Sequence, residues 1–254
     1  MLIELLLIGD ELLTGELDPY PSKILSAVRG KGASISRITV VPDVVRDIVL
    51  ELDAACSRGA GLVLATGGLG PTIDDVTRHA LAGFLGKELV VDPKAKAWME
   101  EALLVRHGRR PKASSAALLM AMVPEGTEAL PNPSGVACGI KAAMGDTTII
   151  CVPGFPKEML AMFERHFLPL VAPEGQAERM FHVKRRETTM EPIFQAIAKE
   201  FGVRVASLPK EDWREGGNVV VIRGPQDAVE AASKRFQEMV EASRDEWEDE
   251  RSGD

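Results

Sequence analysis

Leu62-Val63-Leu64-Ala65-Thr66-Gly67-Gly68-Leu69-Gly70-Pro71-Thr72-Ile73-Asp74-Asp75-Val76-Thr77 is the stretch whose reading decides the fold. Leu62–Thr66 is a short apolar run without polar alternation, the pattern of a strand buried on both faces. Three glycines and a proline then fall within five positions. From Thr72 to Leu85 the apolar residues return at helical spacing, and Gly86 stops them. Buried strand, glycine turn and helix form the repeating unit of a parallel sheet. Glycines at such a turn let the backbone come close to a ligand. A helix starting at Thr72 would offer unpaired N–H groups and a positive dipole end to a phosphate. Thr72 followed by Asp75 also reads as a capping box in which Asp replaces Glu or Gln.

The same grammar extends upstream. Leu2–Ile8 is an apolar strand ended by Gly9, and Ser22–Val28 has helical spacing. Ser34–Val41 is a β-branched strand ending at Pro42-Asp43, and Val44–Cys56 carries a helical apolar stripe. The alternation β-α-β-α-β-α predicts an α/β, three-layer architecture with a mostly parallel sheet. Downstream, helices are expected over Pro93–His107, Ala113–Met122 and Phe155–Leu168, with a strand over Thr147–Val152 and a loop over Ala129–Gly139. Pro169–Gly175 resembles a linker. A β-α-β-β-α order follows it, with strands at Met180–Glu187, Val203–Leu208 and Asn218–Arg223 and helices at Glu191–Phe201 and Ala228–Val240. The expected division is a first domain over 1–170, a small α+β domain over 176–243 and an acidic tail over 244–254, frayed with the residues just before it.

Composition bounds the function. The chain has 254 residues, 45 % of them hydrophobic, which excludes wholesale disorder. A net charge of −8 argues against a protein that coats nucleic acid or an anionic membrane. The segment 241–254 carries seven acids and two bases, so the rest of the chain is close to neutral. Cys56, Cys138 and Cys151 form no C-x-x-C, which favours a reducing compartment over a disulfide framework. No apolar run approaches the ~20 residues of a membrane helix, and Leu2–Ile8 lacks the basic flank of a signal peptide. A soluble, cytoplasmic protein is expected.

In a parallel sheet, strand ends share one edge, and ligands bind there. Asp10 and Glu11 leave the first strand between Gly9 and Gly15, Asp43 leaves the second, and Asp74 and Asp75 follow the glycine loop. Asn132-Pro133-Ser134-Gly135 and Pro153-Gly154-Phe155-Pro156 add two polar, flexible loops. Carboxylates repel phosphate unless a divalent cation bridges them, so Mg²⁺, with Mn²⁺ or Co²⁺ as substitutes, is the implied cofactor. One Asp could instead bind a sugar hydroxyl or polarise a water, and Asp74 and Asp75 could serve only the helix dipole. No P-loop exists, and Ile73 stands where a Rossmann third glycine belongs. Neither paired histidines nor a G-x-S-x-G elbow occurs.

Three ordered motifs carry a family resemblance. They are I-G-D-E-L-L-x-G at Ile8–Gly15, T-G-G-L-G-P-T-x-D-D-x-T at Thr66–Thr77 and P-G-x-P-x-E-M at Pro153–Met159. They resemble the amino-terminal domain of CinA, the competence/damage-inducible protein, which belongs to the molybdopterin-binding MoaB/Mog superfamily. The likeness covers residues 3 to about 170, and the 180–243 unit looks like the small domain that follows in CinA. The deamidase domain that full-length CinA uses on nicotinamide mononucleotide has no counterpart, so deamidation is not implied. Departures fall at Pro19-Tyr20-Pro21, where the family usually has Asn, at Leu118-Leu119-Met120, where it usually has Lys or Arg, and at Cys138, where it usually has Pro.

The resemblance implies metal-dependent hydrolysis of ADP-ribose to AMP and ribose 5-phosphate. Its Mog-type members instead bind molybdopterin and adenylylate it, and a non-catalytic nucleotide-binding module is a third reading. Asp75, Asp43 and Glu11 are then the expected catalytic acids, and Asp10, Asp74 and Asp75 the expected metal ligands. The phosphate-bearing nucleotide or pterin would be bound by Gly9, Gly15, Gly67, Gly68, Gly70, Pro71, Thr72 and Thr77. Asn132, Ser134, Gly135, Gly154, Pro156 and Glu158 would bind it from the two later loops. A homo-oligomer, dimer or trimer, is expected.

Overall fold

The computed structural model describes residues 1–17, 21–108, 116–173, 175–185, 187–208 and 218–248. Pro19, Tyr20, the 113–115 start of one expected helix and the end of the acidic tail lie outside the described residues. The chain divides into two compact units, Met1–Ala172 and Pro173–Asp254.

Among the described residues the first unit has eight strands, six of them in one sheet. In chain order they are β1 (Leu2–Ile8), β2 (Arg37–Val41), β3 (Ala60–Thr66), β4 (Leu89–Val91), β5 (Met122–Pro124), β6 (Glu128–Leu130), β7 (Gly139–Met144) and β8 (Thr147–Val152). The large sheet has the order β2-β1-β3-β8-β7-β6, and β4 pairs with β5 separately. Strands β2, β1, β3 and β8 are parallel, while β7 and β6 join antiparallel. The helices are α1 (Asp10–Thr14), α2 (Ser22–Gly30), α3 (Val45–Ser57), α4 (Thr77–Leu85), α5 (Pro93–His107) and α6 (Pro156–Met162).

Side-chain alternation along β1 builds the two outer layers. Ile3, Leu5 and Leu7 face a core shared with Ile24 and Val28 of α2 and with Met162, Phe163 and Phe167. Leu6 and Ile8 face the opposite core, with Ile48 and Leu52 of α3, Leu81 of α4 and Met99 of α5. This is the three-layer α/β arrangement that the apolar runs dictate. Glu4 is the exception on β1, since it is a buried acid. The Arg58 guanidinium donates to both Glu4 oxygens at 2.9 and 2.7 Å and to Glu51 at 2.6 Å, which compensates the buried charge.

Several expectations need correction. The helix expected from Thr72 begins at Thr77, because residues before it are held in turns by the Asp75 side chain. Ala116–Ala121 is a 3₁₀ turn that passes directly into β5. The loop expected over Ala129–Gly139 is bounded by strand residues of β6 and β7. The helix from Phe155 starts at Pro156, loosens to a π turn at Phe163–Phe167 and closes with a 3₁₀ turn at Leu168–Leu170.

The second unit has β9 (Gln176–Val183), α7 (Glu187–Phe201), β10 (Arg204–Leu208), β11 (Asn218–Pro225) and α8 (Gln226–Glu248). Its antiparallel sheet has the order β10-β11-β9. Ile197 of α7 and Val229 and Phe236 of α8 pack with Val220 and Ile222 of β11 in a core of its own. Helix α8 runs through Glu248, so fraying does not begin at residue 241. Among the described residues no helix is long and apolar enough to cross a membrane.

Candidate active site

The parallel strands β1, β2, β3 and β8 bring their carboxyl ends to one sheet edge. The loops that leave them surround a cleft of about 770 Å³. Glu11, Asp43, Gly67, Gly68, Gly70 and Asp75 line it. Pro71, Asp74, Gly154, Pro156 and Glu158 also face it. The remaining expected residues sit elsewhere. Asn132, Ser134 and Gly135 line a neighbouring cleft of about 530 Å³. Gly9, Asp10, Gly15, Thr72 and Thr77 line neither.

Those residues build the frame around the cleft. Gly15 takes φ +80° as the stop of α1, with open space beside it. Gly9 leaves room for the Glu11 carboxylate, which a Cβ there would meet. Asp10 and Asp43 clasp their two loops together. The Asp10 N–H donates to Asp43 Oδ2 at 3.0 Å, and the Asp43 N–H donates to Asp10 Oδ1 at 3.3 Å. Asn132 is used up within its own loop. Its Oδ1 accepts the Ser134 N–H at 3.0 Å, and its Nδ2 donates to Ala137 O at 3.0 Å and Glu158 Oε2 at 2.7 Å.

The glycine loop is tied from below. Gly67 N–H donates to Val152 O at 3.0 Å. Thr77 closes the turn, its hydroxyl donating to Gly67 O at 2.8 Å and its N–H to Gly68 O at 3.1 Å. Asp75 accepts the Gly70 N–H on Oδ1 at 2.6 Å and the Thr72 N–H on Oδ2 at 2.8 Å. Asp75 thus shapes the loop with both oxygens. The N–H groups of Gly68 and Leu69 have no acceptor among the described residues, and they are the loop donors left for a ligand.

Arg78, a helical cation that does not stand out in the sequence, sits under this loop at 1 % exposure. Its Nη1 donates to Gly70 O at 3.0 Å and its Nη2 to Leu69 O. Burial pulls its pKa down, against the charge of the nearby Asp75 carboxylate. Burial also pushes the Cys138 thiol up to about 11 and the Cys151 thiol up to about 12, so neither is a thiolate nucleophile at neutral pH.

A family model described as a probable molybdopterin binding domain matches residues 4–173, the unit that holds this cleft. The chain belongs to that family. A protein of Thermococcus kodakarensis is 36 % identical over 216 residues, which cover 83 % of this chain and 86 % of that protein. A CinA-like protein of Geobacter metallireducens is 34 % identical over 207 residues, and the chain spans only 48 % of its length. The crystal structure of CinA from Thermoplasma acidophilum matches with a TM-score of 0.57 at 30 % identity, covering 64 % of this chain and 94 % of that one. The first unit is therefore of the CinA amino-terminal, MoaB/Mog type.

Within this cleft, the metal ligands expected from the sequence are not gathered. Among the described residues no group of three or more His, Cys, Asp and Glu side chains is placed to hold a metal ion. Asp75 is saturated by its loop, and Asp10 does not face the cleft. The open carboxylates are those of Glu11, Asp43 and Asp74. That donor set fits Mg²⁺, which takes one or two carboxylates and completes its shell with phosphate oxygens and water.

Asp43 is the electrostatic centre of the group. Burial raises its pKa above the usual carboxylate range, and the charges of Glu11, Asp10 and Asp74 raise it further, against the opposing Asp10 N–H bond. The Thr72 hydroxyl and the residue's own N–H hold Asp74 below that range. A raised carboxyl pKa means that ionising Asp43 opposes folding. Its share of stability is full below the unfolded pKa and is lost as pH rises through the folded one. Asp43→Asn is therefore expected to melt higher than the parent at pH 7, with the difference vanishing near pH 3. Thermal melts across pH 3–8 measure this, and a variant that melts lower at pH 7 would contradict it.

Proposed function

We propose that the cleft hydrolyses the diphosphate of ADP-ribose or a similar nucleotide with a divalent metal bound. The observation that carries this reading is the meeting of open carboxylates and unpaired glycine-loop amides at one sheet edge. The amides of Gly68 and Leu69 would hold phosphate oxygens. One or two of the Glu11, Asp43 and Asp74 carboxylates would hold the cation, which neutralises phosphate charge when bound. Asp43, whose affinity for a proton is raised, suits the base that takes one proton from the attacking water. The water oxygen bonds to phosphorus and the bridging P–O bond breaks. ADP-ribose plus water thus gives AMP and ribose 5-phosphate, and the bridging oxygen leaves as a phosphate oxygen.

The experiment is turnover of ADP-ribose by the full chain, followed as AMP release with Mg²⁺, Mn²⁺ or Co²⁺ and with chelator. Metal-dependent release is expected, and Asp43→Asn should lower kcat about tenfold to a hundredfold. Release that ignores both metal and Asp43 would sink the mechanism. The family description favours a second reading, a pterin ligand. ATP-dependent adenylylation of molybdopterin, without ADP-ribose turnover, would establish that one. Saturable ADP-ribose binding without turnover in any of the metals would mark a binding module.

A further inference from the structure

We propose that the neighbouring cleft is a phosphate subsite in which Arg106 and Lys157 fix the anionic part of the ligand. The proposal deepens the reading of the first cleft as a phosphoester site and rests on it. The two clefts share Arg106 and Val136 in their walls, so they adjoin. The sign of the charge changes from one to the other. Among the described residues, the first cleft sets the carboxylates of Glu11, Asp43, Asp74, Asp75 and Glu158 against one lining cation, Arg106. The second, among the same residues, sets Arg106 and Lys157 against one lining acid, Glu101. A phosphate not bridged by metal is repelled at the first end and attracted at the second.

The second cleft is also braced. Asn132 fastens its loop to Glu158 and to Ala137, and it draws the Glu158 carboxylate onto its own amide. Trp98, Val105, Pro131 and Pro133 supply apolar wall beside the two cations. Arg106 closes α5, whose start Asp92 caps by accepting the Ala95 N–H at 2.8 Å. The class of ligand that satisfies both ends is a nucleotide-sized phosphate ester. One phosphate is shared with metal at the acidic end, and a second meets the guanidinium and ammonium. Arg106 offers a planar fork suited to phosphate oxygens, and Lys157 a point charge.

The test is calorimetric titration of the full chain with inorganic pyrophosphate, ADP-ribose and adenosine, in metal-free buffer. The parent is compared with Arg106→Gln, Lys157→Gln and the double variant. All carry exposed substitutions, and thermal melts check that they fold alike. The double variant should bind pyrophosphate and ADP-ribose at least tenfold more weakly, while Arg106→Lys recovers part of the loss. Adenosine, which lacks phosphate, controls for lost packing. Unchanged pyrophosphate affinity in the double variant, or an equal loss for adenosine, overturns the subsite. ADP-ribose turnover with an unchanged KM in that variant also overturns it and leaves the reading of the first cleft standing. Pyrophosphate binding that depends on both cations, with no ADP-ribose turnover in Mg²⁺, Mn²⁺ or Co²⁺, keeps the subsite and overturns that reading. Binding of none of the three by the parent overturns the subsite.

Discussion

Gly67→Ala is expected to destabilise the first unit by about 3 kcal/mol or more and to abolish ligand binding. Gly67 has φ +108°, which an L side chain rarely adopts, and its Cβ would strike the Ile8 carbonyl oxygen. Neither part of that clash can swing away, since Ile8 ends β1 and Gly67 begins the loop after β3. The neighbouring loop is also close, for a Cβ on Gly154 would meet Gly67 Cα at 3.1 Å. Three loops are therefore packed backbone to backbone beneath the cleft. A loss of that size lowers the melting temperature by roughly 6–12 °C for a unit of this length. A variant that melts within about 2 °C of the parent and still binds ligand would show that the loops are not so arranged.

Arg78→Met should separate the two things that a buried guanidinium does. Removing the cation relieves its desolvation, but it leaves the Leu69 and Gly70 carbonyls without donors. The balance is a destabilisation of about 2 kcal/mol, because unsatisfied polar groups cost more than well-made hydrogen bonds contribute. The larger effect falls on binding. Those carbonyls are drawn down by Arg78 in the two residues at and just after the Gly68 and Leu69 amides, so losing the guanidinium loosens the loop segment that presents them. Phosphate affinity is expected to fall about a hundredfold, and Arg78→Lys should not restore it, since one ammonium cannot replace the planar fork. Pyrophosphate titration beside a thermal melt reads both effects. Full affinity in Arg78→Met would refute the role.

The βα repeats of the first unit are legible because β1 and β3 are nearly unbroken apolar runs and β2 is rich in β-branched residues. Glycine or Pro-Asp then ends each run. Strand β7 was not legible, because Gly139-Ile-Lys-Ala-Ala-Met144 has little β-branching and takes its place from pairing with β8. Ala116–Ala121 looks helical by composition, yet it forms one 3₁₀ turn where its chain must enter β5. Thr72 and Asp75 carried a real hydrogen-bonding signal, but it shapes a loop and not a helix start. The strand-end acids could be read from glycine and proline punctuation. Arg78 and Arg106 could not, because helical cations read as solvated surface until packing shows one buried beneath the loop and the other in a cleft wall.

The Glu4–Arg58–Glu51 bridge lies toward the amino end of β1, while the cleft opens beyond its carboxyl end. One strand thus carries two separable traits along its length. Substitutions around Arg58 would alter how long the protein lasts, and substitutions after Ile8 would alter what it accepts. Such a lineage can change ligands without rebuilding its scaffold, and an engineer could harden one end while redesigning the other.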